Sequence, residues 1–362
     1  MAQSAMGRLI RWPSTRRSVI AFSQVRNYAS KQAIPTFSGT PSPELDQALD
    51  RFRQELFIPW GLPQRQRSTM FQTKHHHRLE EEPITVNLGA NEQYTLRPMT
   101  LSSLPTRSDV AHVFQLMQTT NNYTNLVPFV SGLWNSERHL SVDRWLQLVR
   151  HTAKVGKLSL IVECANRRNQ TGLSLMNLEI SRSIFFELHR MALNSNNRGT
   201  NVTRAFKMAK QAVDIMDGDR PRPQIPGESV NPKFQPFVIG TLLELSAARA
   251  LGESAGKDEA DEALNYAHKL VAAFPRREIK ALPKQTNEAK VIIQWFQEML
   301  PIQNGLRLAL KVESITQDKS LRTALGSAES QVKTAIQGQL KRAEGVQGLN
   351  VAADIIEMAT KI

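Results

Sequence analysis

From Ser103 to the last residue, apolar side chains recur at the three-to-four-residue spacing of amphipathic helices, and each run is cleanly broken. The spacing predicts helices near residues 107–119, 122–134, 141–155, 157–170, 177–195, 201–217, 234–252, 258–274, 286–311, 317–343 and 349–361. The breaks are Pro105, Gly156, Gly172, the run Asn196-Asn197-Arg198-Gly199, the segment DGDRPRPQIPGESVNP, Pro275 and Pro283. A helix with one apolar stripe is marginal alone in water and must bury that stripe against a neighbour. Long helices joined by short loops solve this as antiparallel pairs, so the fold class is mainly α.

Three stretches of the body align with one another, beginning at Ser141, Asn177 and Asn231. Each has an apolar helix, a polar turn carrying Gly, and a second helix rich in Ala. Ala205, Ala209, Ala212, Ala263 and Ala267 are small enough to let the second helix approach its neighbours closely. The first unit resembles a pentatricopeptide repeat, through the KVGK turn around Gly156, Ala165 in the second helix, and Thr171-Gly172 after it. The resemblance covers roughly residues 103–274 and implies a helix-hairpin repeat, an α-solenoid-like body. Leu173-Ser174-Leu175 stands where that family carries Pro-Asp, and the three units differ in length.

The other end of the chain has a different character. Arg8, Arg11, Arg16, Arg17 and Arg26 precede the first carboxylate, Glu44, and alternate with Leu9, Ile10, Trp12, Val19, Ile20, Phe22 and Val25. Arg- and Ser-rich, acid-free and able to form an amphipathic helix, residues 1–28 resemble a mitochondrial transit peptide. Arg26, Tyr28 and Ala29 in RNYAS resemble the mitochondrial processing site, with cleavage after Tyr28. The expected destination is the mitochondrial matrix. A basic arm that binds nucleic acid elsewhere is the alternative. Removal of those five arginines takes the formal charge from +13 to +8, so a basic surface still needs an explanation.

Residues 29–78 read as a basic extended arm with one short helix, 43–57, on which Leu45, Leu49, Phe52 and Leu56 share a face. In it Arg51, Arg53, Arg65, Arg67, Lys74 and Arg78 are interleaved with Phe52, Phe57, Trp60 and Phe71. Guanidinium groups suit phosphate, and aromatic rings stack on unpaired bases. Residues 79–102 hold a β-hairpin, with Ile84, Val86 and Leu88 alternating before a turn at Gly89-Ala90-Asn91, and Tyr94 and Leu96 after it. The helical-repeat body spans 103–274, and 275–362 is a C-terminal helical segment. Net charge is +3 for residues 29–78, −3 for 79–140, +6 for 141–217, −2 for 218–274 and +4 for 275–362. Such segregation favours contact surfaces over general solubility. Arg167, Arg168, Arg182, Arg190, Arg198, Arg204, Lys207 and Lys210 are the RNA-binding candidates of the body.

Catalytic chemistry leaves no trace. GESAGKD at 252–258 has three residues between its glycines where a P-loop has four, and Asp258 follows Lys257 where Ser or Thr is required. It reads as an interhelical turn with Asp258 as a cap. His75, His76 and His77 are consecutive, so their rings diverge, and they read as a solvated loop rather than a metal site. Cys164 is the one cysteine, which excludes an internal disulfide and a Cys-rich zinc site, and its apolar neighbours make it a buried structural thiol. Trp134, Trp145 and Trp295 fall among apolar residues and are expected in the core. No cofactor, metal or small-molecule substrate is expected, and no stretch is apolar enough for a transmembrane helix.

A basic arm, a helical-repeat body and the lack of an active-site motif together resemble the accessory proteins of fungal mitochondrial ribosomes. The resemblance implies a supernumerary structural component, not an enzyme, belonging to the large subunit and contacting mitochondrial rRNA and other mitoribosomal proteins. Two other classes stay open: a pentatricopeptide-type factor for RNA processing or translation, marked by regular repeat spacing, and a respiratory-complex assembly factor, which needs no RNA. The address makes the first prediction. Terminal sequencing of the protein from its native cells should give Ala29, or a residue or so beyond, as the mature start; a Met1 or Ala2 start would contradict it.

Overall fold

Ser42 starts the ordered helical chain: its hydroxyl accepts from the Leu45 backbone N–H at 3.3 Å, and Pro43 takes the first helical position, where a missing N–H costs nothing. The computed structural model describes residues 34–88, 92–218, 231–253, 258, 260–273, 289–343 and 353–360. The expected transit peptide with Arg26, Tyr28 and Ala29, the hairpin turn at 89–91 and most of the GESAGKD turn lie outside the described residues. Helix α1 (Pro43–Phe52) runs through a widened helical turn (Arg53–Phe57) into α2 (Ile58–Gly61). Two compact units divide the chain, one with residues 62–103 and the other with 34–61 and everything from 104 onward.

The smaller unit corrects the extended-arm expectation. Pro63 is followed by α3 (Gln64–Phe71), a tight turn at Thr73–His75 and α4 (His76–Glu81). Gln64, Arg65, Gln66 and Arg67 are good helix formers but carry no apolar stripe, and Met70 alone of α3 is buried, so periodicity had nothing to register. The histidines likewise begin a helix instead of lying in a loop. His76 donates through Nε2 to the Met70 carbonyl at 3.0 Å, and His77 faces Glu81 at 3.2 Å. The hairpin forms as expected, with β1 (Thr85–Asn87) antiparallel to β2 (Gln93–Thr95) and Val86 opposite Tyr94. Those two side chains, with Leu96, form its buried face.

In the larger unit, α1 and α2 are part of the body's core. Phe52 meets Phe129 edge-on at 5.1 Å, and Phe114 meets the same ring at 5.6 Å. The domain boundary therefore falls near Leu62, inside the segment expected to be one arm, because the apolar face of α1 needed a partner. Then follow α5 (Arg107–Thr119), α6 (Leu126–Asn135), α7 (Val142–Lys154), α8 (Ser159–Asn166), the single turn α9 (Arg168–Thr171), α10 (Leu178–Asn194) and α11 (Thr200–Gly218). Next are α12 (Pro236–Glu253), α13 (Glu262–Ala273), α14 (Ala289–Ala309), the short α15 (Glu313–Gln317), α16 (Lys319–Ala343) and α17 (Ala353–Thr360). Capping explains the boundaries: Thr106 and Asp109 form a reciprocal box at α5, Ser141 caps α7, and Asn177 caps α10 through the N–H groups of Glu179 and Ile180. Asp258 accepts from Leu264 N–H at 3.0 Å and so caps α13, as expected.

The body is mainly α, and α7, α10, α12 and α14 pack each on the next while α8 touches α11. It is not a strictly linear stack, because α14 also reaches α10. The broadest contact joins α12 to α14, and glycines stand at its centre. A methyl at Gly305 would come within 2.6 Å of the Gly240 carbonyl oxygen, and one at Gly240 within 2.9 Å of Ile302 Cα. At this crossing Glu244 is fully buried, with His189 Nδ1 at 2.6 Å from Oε2 and Asn304 Nδ2 at 2.6 Å from Oε1. Trp145 and Trp295 are buried as expected. Trp134 is only half-buried, its ring lying over Gly172, whose left-handed φ of 73° and lack of a Cβ are both required there.

The crossing can be tested with a matched pair. Gly305→Ala should destabilise the fold by about 1–3 kcal/mol or more through backbone displacement. Gly326→Ala, in α16 with open space around it, should stabilise by about 0.5–1 kcal/mol. Denaturant unfolding measures both, and equal midpoints would remove the glycine contact from the account.

Candidate nucleic-acid interface

The cations expected to meet RNA separate into those the fold consumes and those it leaves open. Arg51 is held by Glu55 at 3.0 Å and Asp109 at 3.4 Å, and Arg53 donates to the Pro35 carbonyl at 3.0 Å. Arg167 pairs with Glu163 at 2.7 Å, and Lys210 with Glu262 at 2.8 Å. Arg78 lies 3.9 Å from Glu82, an exposed and weak pairing. Arg67 and Arg168 are half-buried. Arg182 is 8% exposed and donates from Nε to Glu298 at 2.7 Å, so it joins α10 to α14 and faces no surface. Arg190 is shared between Glu187 at 3.3 Å and Asp354 at 3.1 Å.

Arg65, Lys74, Arg198, Arg204 and Lys207 are exposed and make no salt bridge among the described residues. Arg65 and Lys74 belong to the smaller unit. The other three belong to α11 and the turn before it. Asn196 and Asn197, both at positive φ, and Gly199 at φ 77° reverse the chain after α10. Val202, Ala205, Phe206, Ala209, Ala212 and Met216 then bury one side of α11. That stripe forces Arg204 and Lys207, one turn apart, onto the outer side.

Beside Arg204 a cleft of about 360 Å³ opens between the end of α7, α10 and α11. Lys154, Arg204, Asn194 and Asn201 line it, with the Glu187–Arg190 pair beneath. Gly156, at φ 72°, ends α7 there. Burial pushes the Glu187 carboxyl above its ordinary range, while the Arg190 guanidinium pulls it back. Lys154 and Arg204, which make no salt bridge among the described residues, and the two amides are suited to an anion. Lys154 was not among the expected contacts; its place as the first residue of the KVGK turn was the available signal. Cys164 is fully buried and its thiol is pushed up to about 12, so it is inert at neutral pH. Among the described residues no three His, Cys, Asp or Glu side chains gather as metal ligands, and no helix is long and apolar enough to cross a membrane.

The class of protein is a ribosomal protein of mitochondria: the chain belongs to the mitochondrial ribosomal protein mS27 family, whose model matches residues 21–355 and so spans both compact units. It is similar to the small ribosomal subunit protein mS27 of Neurospora crassa, 25% identical over 276 residues that cover 71% of this chain and 69% of the relative. A fungal mitoribosomal relative agrees with the resemblance drawn from the sequence. A small-subunit relative overturns the large-subunit expectation, for which composition and periodicity offered no physical basis.

Two measurements check the interface. Arg182→Gln should cost about 1.5–3 kcal/mol of folding stability, since it removes a charged hydrogen bond at a buried site, whereas Arg204→Gln with Lys207→Gln should stay within about 0.5 kcal/mol. The second uses pH. Glu187 has a folded pKa above its ordinary value of 4.5, so the folded state holds that proton more tightly than the unfolded chain does. Its contribution is therefore full below that value and is lost as pH rises through the raised pKa. Glu187→Gln should flatten this fall, and parallel stability curves for the two proteins would contradict the assignment.

Proposed function

We propose that the chain is a structural component of the small subunit of the mitochondrial ribosome, working in the matrix and contacting both rRNA and neighbouring ribosomal proteins. The observation that carries the reading is the outer side of α11, where Arg204 and Lys207 stand exposed without carboxylate partners among the described residues, in a chain of this family. Arg198 precedes them, and Lys154 lines the adjoining cleft together with Arg204. Phosphate contacts of this kind are independent of sequence and sensitive to salt. Arg65 and Lys74 supply a second contact from the smaller unit. The small-subunit assignment rests on the relative from Neurospora crassa.

Sedimentation of mitochondrial lysate after the subunits are separated tests the proposal. The chain should travel with the small subunit and leave it as KCl rises, each phosphate contact on a single strand adding about −0.7 to the log–log salt slope. Arg204→Gln with Lys207→Gln should lower the salt needed for release. Migration with the large subunit, with a respiratory complex or in the light fractions would overturn the assignment.

A further inference from the structure

Phe234 lies at the surface of the larger unit with its ring 59% exposed, yet the turn that carries it, Pro232–Phe234, is firmly held. The Asn231 side chain accepts from the Lys233 backbone N–H at 3.1 Å and donates from Nδ2 to the Met216 carbonyl at 3.3 Å, which ties the turn to the end of α11. Pro232 and Pro236 fix the backbone on either side of the ring. Lys233 pairs with Asp217, and its Nζ lies 4.7 Å from the centre of the Phe234 ring. Phe234 lines a groove of about 750 Å³ between the end of α11, this turn, α12 and α13. Val213, Pro236 and Tyr266, all half-buried, line it too, together with Ile239 and Leu242. An aromatic ring held in place beside an open apolar groove has the character of an anchor in a protein interface.

We propose that this groove receives an apolar side chain of a neighbouring ribosomal protein, and that a carboxylate beside that side chain in the partner meets Lys269. The inference rests on the ribosomal place proposed above and names the chemistry of one protein contact there. Charge selects the occupant. Among the described residues that line the groove, Asp217 is the single carboxylate, and Lys233 neutralises it. Lys269 also lines the groove, is exposed, and makes no salt bridge among the described residues; its Nζ lies 5.3 Å from the centre of the Tyr266 ring. One open cation at the edge of an apolar trough matches an apolar residue with an acidic neighbour, the usual pairing of an interface core with its rim. A phosphate backbone is a poor match. The first half of α11 carries Arg204 and Lys207, whereas residues 211–217 hold Asp214 and Asp217 and no cation. The two contacts thus divide α11 between them, phosphate toward its start and protein toward its end.

Two measurements test the groove. In the first, purified small subunits are treated with a carbodiimide, which joins a lysine amine to a carboxylate in direct contact. Lys269 should be joined to an Asp or Glu of another ribosomal protein, with an apolar residue within about four positions of it, the reach of one helical turn. The second measures rebinding of the full chain to small subunits stripped of it by salt. Phe234→Ala should weaken rebinding roughly ten-fold and leave the log–log salt slope unchanged, because no phosphate contact is lost. The ring is largely exposed, so the unfolding midpoint of this variant should match that of wild type. Lys269→Glu should weaken rebinding, and Lys269→Arg should preserve it. A link from Lys269 to this chain or to a second copy alone, no link at all, or crosslinks from residues 232–236 to RNA would overturn the groove. Rebinding of Phe234→Ala as tight as wild type, with Arg204→Gln and Lys207→Gln together still weaker, would overturn it and leave the phosphate contacts standing. A wild-type chain that does not rebind to small subunits would remove the ribosomal reading and the groove together.

Discussion

The approach of α12 to α14 through Gly240 and Gly305 is the constraint on which the body depends. At that spacing Glu244 can accept from His189 of α10 and Asn304 of α14, so one buried carboxylate ties three helices far apart in sequence. Arg307 donates to Asn304 Oδ1 at 2.5 Å and orients the amide. Helix α12 is buried nearly all round, and apolar contact alone would let it slide or rotate. Directional hydrogen bonds from Glu244 to two other helices restrict that freedom, at the cost of burying polar groups, among them a His189 Nε2 without a partner among the described residues. A methyl at either glycine would push the helices apart and open the network first.

The same logic governs the surface charge. Residues 141–217 carry +6, yet Arg182 is locked to Glu298, Arg190 to two carboxylates and Lys210 to Glu262. Net charge counts all of these equally, whereas a phosphate can recruit only those whose partner is water. Of the cations singled out in the sequence, those left exposed and without a salt bridge among the described residues lie on α11 and the turn before it, with two more in the smaller unit. Cations spent internally hold helices in register, and this keeps the open ones on a rigid helix instead of a loose tail.

Helix positions were legible wherever an apolar stripe met a cap. Helix α5 occupies residues 107–119 as its periodicity indicates, and Thr106 with Asp109 shows why it starts there. Residues 64–81 were not legible, because their two α-helices bury only Met70 and Leu79 and carry no repeating apolar face. The role of Gly240 and Gly305 was hidden for a related reason: a glycine inside a helical pattern does not announce which neighbour it admits. The site was legible only in part. Arg204 and Lys207 could be picked from charge, but their separation from Arg51 or Arg182 depends on carboxylates from distant parts of the chain.

Cryo-electron microscopy of mitochondrial small subunits from the native cells tests the central claim most directly. The account expects the helices α10 to α14 as density on that subunit, with the side of α11 that bears Arg204 and Lys207 turned to rRNA phosphates. Density for this chain on the large subunit, or an α11 whose outer side faces solvent or protein alone, would contradict it.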